Sequence, residues 1–294
     1  MIRESAARRA YLVFNNCALV LLALMCLLPI LNVLALSLSN ASAVQAGYVT
    51  LWPIGFTTRS YDIIMKRADF LSSFWVSCKR VLLGLSVNMI LIVVTAYPLS
   101  KDNKRFHGRT LYAWFLIFTI IFSGGLIPTY MVVRNMKLLN TLWALVLPGA
   151  IPVWNIVLQM NFFRSLPREI EESAFMDGAG NMRVLFSLFL PLSAPSLATI
   201  ALFTIVGHWN SWFDGLIYLN RPELYPLQTF LRMVDVAAML KNNVTTETVE
   251  LMRGISDRTA RSAQIFVAMV PVLCVYPFLQ KYFTKGIVLG SVKG

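Results

Sequence analysis

The sequence predicts an all-α, polytopic membrane protein with six transmembrane helices, and three observations predict it. Hydrophobic residues make up 57% of the 294 positions and charged residues 14%, with a mean hydropathy of +0.65, too apolar for a soluble domain of this length. Charge-free windows run over 10–58, 81–100, 110–133, 138–163, 184–213 and 262–280. Each is about as long as, or longer than, the ~20 residues a helix needs to cross the hydrocarbon core. Basic residues, finally, concentrate in alternate connecting segments. Backbone groups in lipid must be satisfied within the segment, so windows of this length are helices rather than strands.

The expected spans are about 12–36, 75–99, 111–133, 140–162, 184–208 and 263–283. The first follows Arg8-Arg9 and precedes Ala41-Ser42-Ala43, a pattern that superficially suggests a cleaved leader. Its apolar part is much longer than the ~7–15 residues of a leader's hydrophobic region, so it is read as an uncleaved helix. In the third, Gly124-Gly125 followed by Pro128 predicts a break or bend, because Gly loosens a helix and Pro removes a hydrogen bond. Pro191 and Pro195 predict curvature in the fifth. Cys17, Cys26, Cys78 and Cys274 lie in or beside spans without metal or disulfide spacing, and read as small packing residues.

Lys and Arg placement sets the orientation. With the amino terminus inside, Arg3, Arg8 and Arg9, the 101–109 loop (Lys101, Lys104, Arg105, Arg109), Arg164, Arg168, Arg183, Lys281, Lys285 and Lys293 are cytoplasmic. They outnumber Arg59, Lys66, Arg67, Arg134 and Lys137 of the two short outer loops. The net charge of +12 is thus a topology signature, and no nucleic-acid partner is expected. One long outer segment remains, 214–262. It carries expected helices at 229–241 and at 246–261, the latter with Thr246 as N-cap and Glu247 and Glu250 near its positive end. It either shields the outer mouth or docks an extracytoplasmic protein.

Several chemistries are absent from the sequence. There is no P-loop signature, no H-E-x-x-H and no His/Cys cluster; His107 and His208 are far apart. The charge-free windows hold no carboxylate, whereas ion-coupled carriers ordinarily need buried ionisable groups. An enzyme is therefore unsupported, no catalytic or metal-ligating residue is assigned, and a secondary, ion-coupled sugar transporter is the weaker alternative to a transport subunit powered by another chain.

The most specific motif lies at 169–191, EIEESAFMDGAGNMRVLFSLFLP. Ser165 and Pro167 suit a helix start, and Glu169, Glu171 and Glu172 suit its positive end. Glu172-Ser173-Ala174 is followed by Gly178, then nine residues, then Leu188-Phe189-Leu190-Pro191. This resembles the EAA loop (E-A-A-x-x-x-G, nine residues, I-x-L-P) of the membrane subunits of ATP-binding-cassette importers, with Ser173 for the first Ala and Leu188 for Ile. The stretches 122–149, 207–228 and 276–294 are similar to carbohydrate-import permeases of the maltose-system second-subunit type. Within it they resemble the branch that handles complex oligosaccharides, alginate importers included.

The resemblance implies a single permease domain over 1–294 with the type I importer fold, a cytoplasmic coupling loop at 165–182 and an extracytoplasmic loop at 214–262. It implies Glu172, Ala174, Asp177 and Gly178 as the residues that couple to the ATPase. The implied partners are a second, homologous permease, two ATP-binding subunits, a solute-binding protein, membrane lipid and an oligosaccharide. No cofactor is expected on this chain, ATP and Mg residing on the ATPase subunits. The expected location is the bacterial cytoplasmic (inner) membrane, with both termini cytoplasmic.

Two features are candidate substrate contacts. In His208-Trp209-Asn210-Ser211-Trp212, at the outer end of span five, indoles can stack on sugar rings while His and Asn hydrogen-bond hydroxyls; Trp also forms interfacial belts. Lys79-Arg80, near the outer end of span two, either snorkel to the interface or present a cation that attracts an acidic sugar.

Overall fold

The computed structural model describes residues 6–240 and 257–291. These form two compact units, one from the segments up to Ala68 and Val236–Val270, the other from Asp69–Asp235 and from Pro271 onward. Among the described residues every regular element is helical.

In the first unit, α1 (Ala6–Ser37) is a 32-residue helix, about 48 Å at 1.5 Å per residue and ample to cross a bilayer. Most of its apolar side chains, such as Leu21, Leu24 and Leu28, are exposed, as they are on a lipid-facing helix. Its carboxyl end instead packs Ala35 and Leu36 against Val44 of α2 (Ala41–Gln45) and Val49. The carboxamide of Asn40 caps α2 by accepting the Ser42 N–H at 2.9 Å. A third helix, α3 (Arg59–Lys66), is tied to α1 by a 2.6 Å hydrogen bond between Ser37 Oγ and Tyr61 Oη.

The second unit begins on α4 (Ala68–Ser100), again long enough to span by itself. Three further spans are each broken in two. Helices α5 (Arg109–Ile121) and α6 (Leu126–Asn135) meet at 115°. The turn follows from Gly125 at φ +86°, a conformation that a side chain resists. Pro128 occupies the first turn of α6, where its missing N–H costs nothing, so it starts a helix rather than interrupting one.

A short α7 (Trp143–Val146) with a 3₁₀ turn through Gly149 meets α8 (Val153–Ser165) at 52°, with Pro152 at the joint. Next come α9 (Arg168–Met176), α10 (Asn181–Val184), a π-helical turn at Leu185–Phe189 and α11 (Leu190–Leu192). The last runs into α12 (Ala194–Asn210) through an 80° bend. Pro191 and Pro195 bracket that bend and withdraw two hydrogen bonds from it, a sharper break than curvature. Among the described residues, each broken pair counted as one span, six spans result, from three continuous helices and three bent ones.

The chain continues into α13 (Phe213–Tyr218), α14 (Leu227–Leu240) and, after residues outside those described, α15 (Asp257–Ser291). The expected helix at 229–241 corresponds to α14; Thr246, Glu247 and Glu250 lie outside the described residues. The core of the second unit joins Ile92, Ala96 and Tyr97 of α4, Ile156 and Phe163 of α8, Leu185 and Phe189 of the π turn, and Ile200 of α12. Tyr97, Phe163 and Phe189 meet edge to face with centroids 5.2–6.2 Å apart, a geometry that adds roughly 0.5–1.5 kcal/mol per pair beyond area burial.

Candidate functional site

The aromatic trio forms the floor on which the EAA-like segment sits. Pro167 is extended (φ −57°, ψ 131°) and ends the preceding chain direction, so α9 starts at Arg168 with Glu169 and Glu171 in its first turn. Residues one turn apart share a face. Ala174 and Phe175 accordingly pack on the core, whereas Glu172, Ser173 and Met176 point to solvent, Met176 with 89% of its surface exposed.

Glu171 anchors the helix. Its Oε1 accepts from Lys101 Nζ at 2.8 Å and Arg105 Nη1 at 2.9 Å, both from the loop after α4. The Lys101 ammonium lies over the rings of Tyr97 and Phe189, 4.2 and 4.0 Å from their centroids. Arg105 covers the ring of Phe175 at 5.3 Å. Burial lowers the pKa of Lys101; hydrogen bonding and attraction to Glu171 oppose that, and the like charge of Arg105 adds to it. A buried pair of this kind adds little net stability but is costly to break, because either partner alone is left uncompensated.

The helix ends in a Schellman motif. Gly178 N–H donates to the Phe175 carbonyl and Ala179 N–H to the Ala174 carbonyl, both at 3.0 Å, with Gly178 at φ +79°. The EAA-like spacing thereby acquires a geometric meaning. Glu172 faces out, Ala174 faces in, Asp177 is the exposed C-cap, Gly178 makes the left-handed turn, and Phe189 returns to the aromatic floor. Of the four residues expected to couple, Glu172, Asp177 and Gly178 are exposed, while Ala174 is taken up in packing.

The expected substrate residues separate differently. Lys79 is exposed, but Arg80 retains only 2% of its surface. Both terminal nitrogens of Arg80 bond the two carboxylate oxygens of Asp214, and Nη1 also donates to the Ser211 carbonyl at 3.1 Å. Arg80 therefore neither snorkels nor offers a free cation. Asp214 lies one position beyond the 184–213 window and pairs with Arg80, one position before the 81–100 window. His208 packs so closely on Gly84 that any side chain there would collide with its ring, and its Nε2 is 3.5 Å from Asn88 Oδ1. Trp209 is buried edge-on to Phe74, with centroids 5.7 Å apart. Asn210 is exposed, and Trp212, also exposed, carries the Arg232 guanidinium 5.3 Å above its ring. Arg80, His208 and Trp209 thus hold α4 against α12 and α13; Lys79, Asn210 and Trp212 remain accessible.

No family model matches the chain. The protein LplC of Bacillus subtilis is 40% identical over 270 residues, 91% of this chain and 90% of its own length. YtcP of the same organism, a polygalacturonan/rhamnogalacturonan transport system permease protein, is 38% identical over 278 residues, 94% and 96% of the two chains. The crystal structure of a bacterial ABC transporter that imports the acidic polysaccharide alginate is 32% identical, with a TM-score of 0.86, covering 96% of this chain and all of that one. The chain belongs to the ABC importer permeases of carbohydrate transport systems. As such it is an integral membrane, non-catalytic transport subunit with the type I importer fold, and the ion-coupled carrier is not favoured. In this permease the sequence reading missed Glu171, Lys101 and Arg105 as one cluster, because ion pairs across 66 residues leave no local signature.

Proposed function

We propose that this permease carries acidic, uronate-containing oligosaccharides across the cytoplasmic membrane by ATP-driven alternating access. It acts with a second permease, two ATPase subunits holding ATP and Mg, and an extracytoplasmic solute-binding protein. One observation supports the substrate class: both a relative at 38% identity and a solved structure at 32% are described by acidic polysaccharides, polygalacturonan and alginate. In this reading 1–294 is one permease domain with both termini cytoplasmic, 165–182 is the coupling loop, and 214–262 faces outward to shield the mouth or meet the binding protein. The exposed face of α9, Glu172, Ser173, Met176 and Asp177, seats in a groove of the ATPase. Glu171 transmits its movement to the aromatic floor, and so to α4 and the bent fifth span. The charge of Arg80 is committed to Asp214, so acid selectivity is assigned to the assembly rather than to that residue.

The test is uptake into proteoliposomes holding the assembled transporter and its binding protein. Oligogalacturonate should enter on ATP addition, faster than a neutral oligosaccharide, and neither a proton nor a sodium gradient should replace ATP. Glu172→Lys should leave insertion intact and sharply reduce ATP-driven uptake. Preference for the neutral sugar would remove the substrate class, and gradient-driven uptake would remove the mechanism.

A further inference from the structure

Beneath α9, at the end of α4, lies a cavity of about 370 Å³ whose wall carries five basic side chains against three acidic ones. Glu171 is shared by Lys101 and Arg105, Asp102 is 3.5 Å from Arg168, and Glu172, the third acid, is exposed on α9. That leaves Arg109 and Arg164. Arg109 Nε and Arg164 Nη2 both donate to one acceptor, the Leu99 carbonyl, at 2.9 and 3.0 Å. This is the one protein hydrogen bond each guanidinium makes among the described residues. The carboxyl end of a helix carries a partial negative charge of only about half a unit, which offsets part of two full positive charges. Each guanidinium keeps further N–H donors in a planar fork, the geometry that grips phosphate oxygens two at a time. The cavity also sits at the carboxyl end of a helix, Ala68–Ser100, long and apolar enough to cross a membrane.

We infer that this cavity binds a phosphate group between Arg109 and Arg164, over the carboxyl end of α4. The group belongs either to an anionic phospholipid of the inner leaflet or to a free phosphate, and it neutralises the base on which the coupling helix rests. Basic pockets between membrane helices bind lipid headgroups by this chemistry. The inference rests on the cytoplasmic placement proposed above for the inner-leaflet source alone; the two arginines on one carbonyl stand without it.

The experiment uses the assembled transporter in nanodiscs of phosphatidylcholine, alone or with phosphatidylglycerol, and reads two quantities. These are the labelled phosphatidylglycerol retained per complex and the thermal unfolding midpoint. The wild type should retain phosphatidylglycerol and unfold at higher temperature with it, and Arg109→Gln with Arg164→Gln should weaken retention by roughly ten- to thirty-fold. Should that pair fail to assemble, Arg109→Lys with Arg164→Lys keeps both charges, and a partial loss of retention supports the forked contact. Inorganic phosphate titrated into phosphatidylcholine discs distinguishes the sources: a raised midpoint there, without preference for phosphatidylglycerol, assigns a free phosphate and also supports the site. Wild-type protein that retains phosphatidylglycerol no better than phosphatidylcholine, with a midpoint unmoved by phosphate, overturns it. Because retention is read without transport, normal ATP-driven uptake alongside that result would leave the proposed function standing.

Discussion

Asp214 grips the buried guanidinium of Arg80 with both carboxylate oxygens, joining the amino-terminal half of α4 to the start of α13. The carboxylate is itself fixed by Ser211 Oγ and the Gly215 N–H, each at 2.9 Å. Gly215 is needed there because a side chain at that position would collide with Thr229 of α14. A bidentate pair so positioned acts as a structural clamp, and the charge of Arg80 is spoken for before any substrate arrives.

Asp214→Asn should therefore be among the most destabilising single changes outside the apolar core. Arg80 retains 2% exposure and would keep its charge without a counter-ion, a loss of about 3–5 kcal/mol. Arg80→Met combined with Asp214→Asn should recover most of it, since both charges are then gone. Thermal unfolding midpoints of the solubilised complex measure both. A double variant no better than the single one would show that the clamp is not what Asp214 supplies.

Glu171 and Lys101 lead to a prediction with a definite sign in pH. Burial holds the pKa of Lys101 below its ordinary 10.5, with Glu171 opposing and Arg105 adding. In the window between the lowered folded value and 10.5 the unfolded chain holds more protons than the folded one, so stability contributed at this site rises with pH there. Below the window the charged ammonium carries its full burial cost. Wild type should accordingly gain on Lys101→Met as pH climbs through the window. Glu171→Gln, by contrast, leaves Lys101 buried without its partner and should cost about 3 kcal/mol at neutral pH. Denaturation midpoints across pH check both, and a wild-type advantage that shrinks as pH rises would contradict the assignment.

Gly178 separates backbone strain from a partner's approach. It sits at φ +79° with nothing among the described residues within 4 Å of where a Cβ would lie. Gly178→Ala and Gly178→Leu should thus cost similar stability, roughly 1–2 kcal/mol from the left-handed backbone alone. If an ATPase groove closes over this turn, Leu should lose far more ATPase on co-purification than Ala does. Equal recovery with both variants would place the contact elsewhere on the helix.

The legible parts of this molecule were those with a local signature. Six apolar windows mark six spans because lipid imposes length and composition on each, and the break at Gly125 was readable because a glycine pair interrupts one of them. The resemblance to the EAA loop implied Glu172 and Gly178 as coupling residues, and the structure leaves both exposed. What escaped were relationships between distant residues. Neither the aromatic floor of Tyr97, Phe163 and Phe189, nor Glu171 reaching Lys101, nor Asp214 folding back to Arg80 has a sequence period. The curvature expected from Pro191 and Pro195 understates the 80° bend in the fifth span, where a π turn precedes the two prolines.

The orientation on which the coupling reading depends can be tested directly by cysteine accessibility. Basic residues weight the 101–109 loop and the segment from Arg164 to Arg183 toward the cytoplasm. Met176 is 89% exposed and Lys104 is exposed, so a thiol at either position should react freely with reagents on that side. Asp62 of α3 and Glu223, just before α14, are exposed on segments assigned to the opposite face. Cys17, Cys26 and Cys274 are exposed and Cys78 is half-buried, so all four must first be replaced. In that background, reporters at 104 and 176 should label in inverted vesicles and stay dark in intact cells treated with an impermeant maleimide. Reporters at 62 and 223 should do the reverse. Co-expression of the ATPase should then protect 176 and leave 104 reactive, since only the first lies on the outward face of α9. Labelling of 176 in intact cells would turn the helix away from any cytoplasmic ATPase and take the coupling role of Glu172 and Gly178 with it.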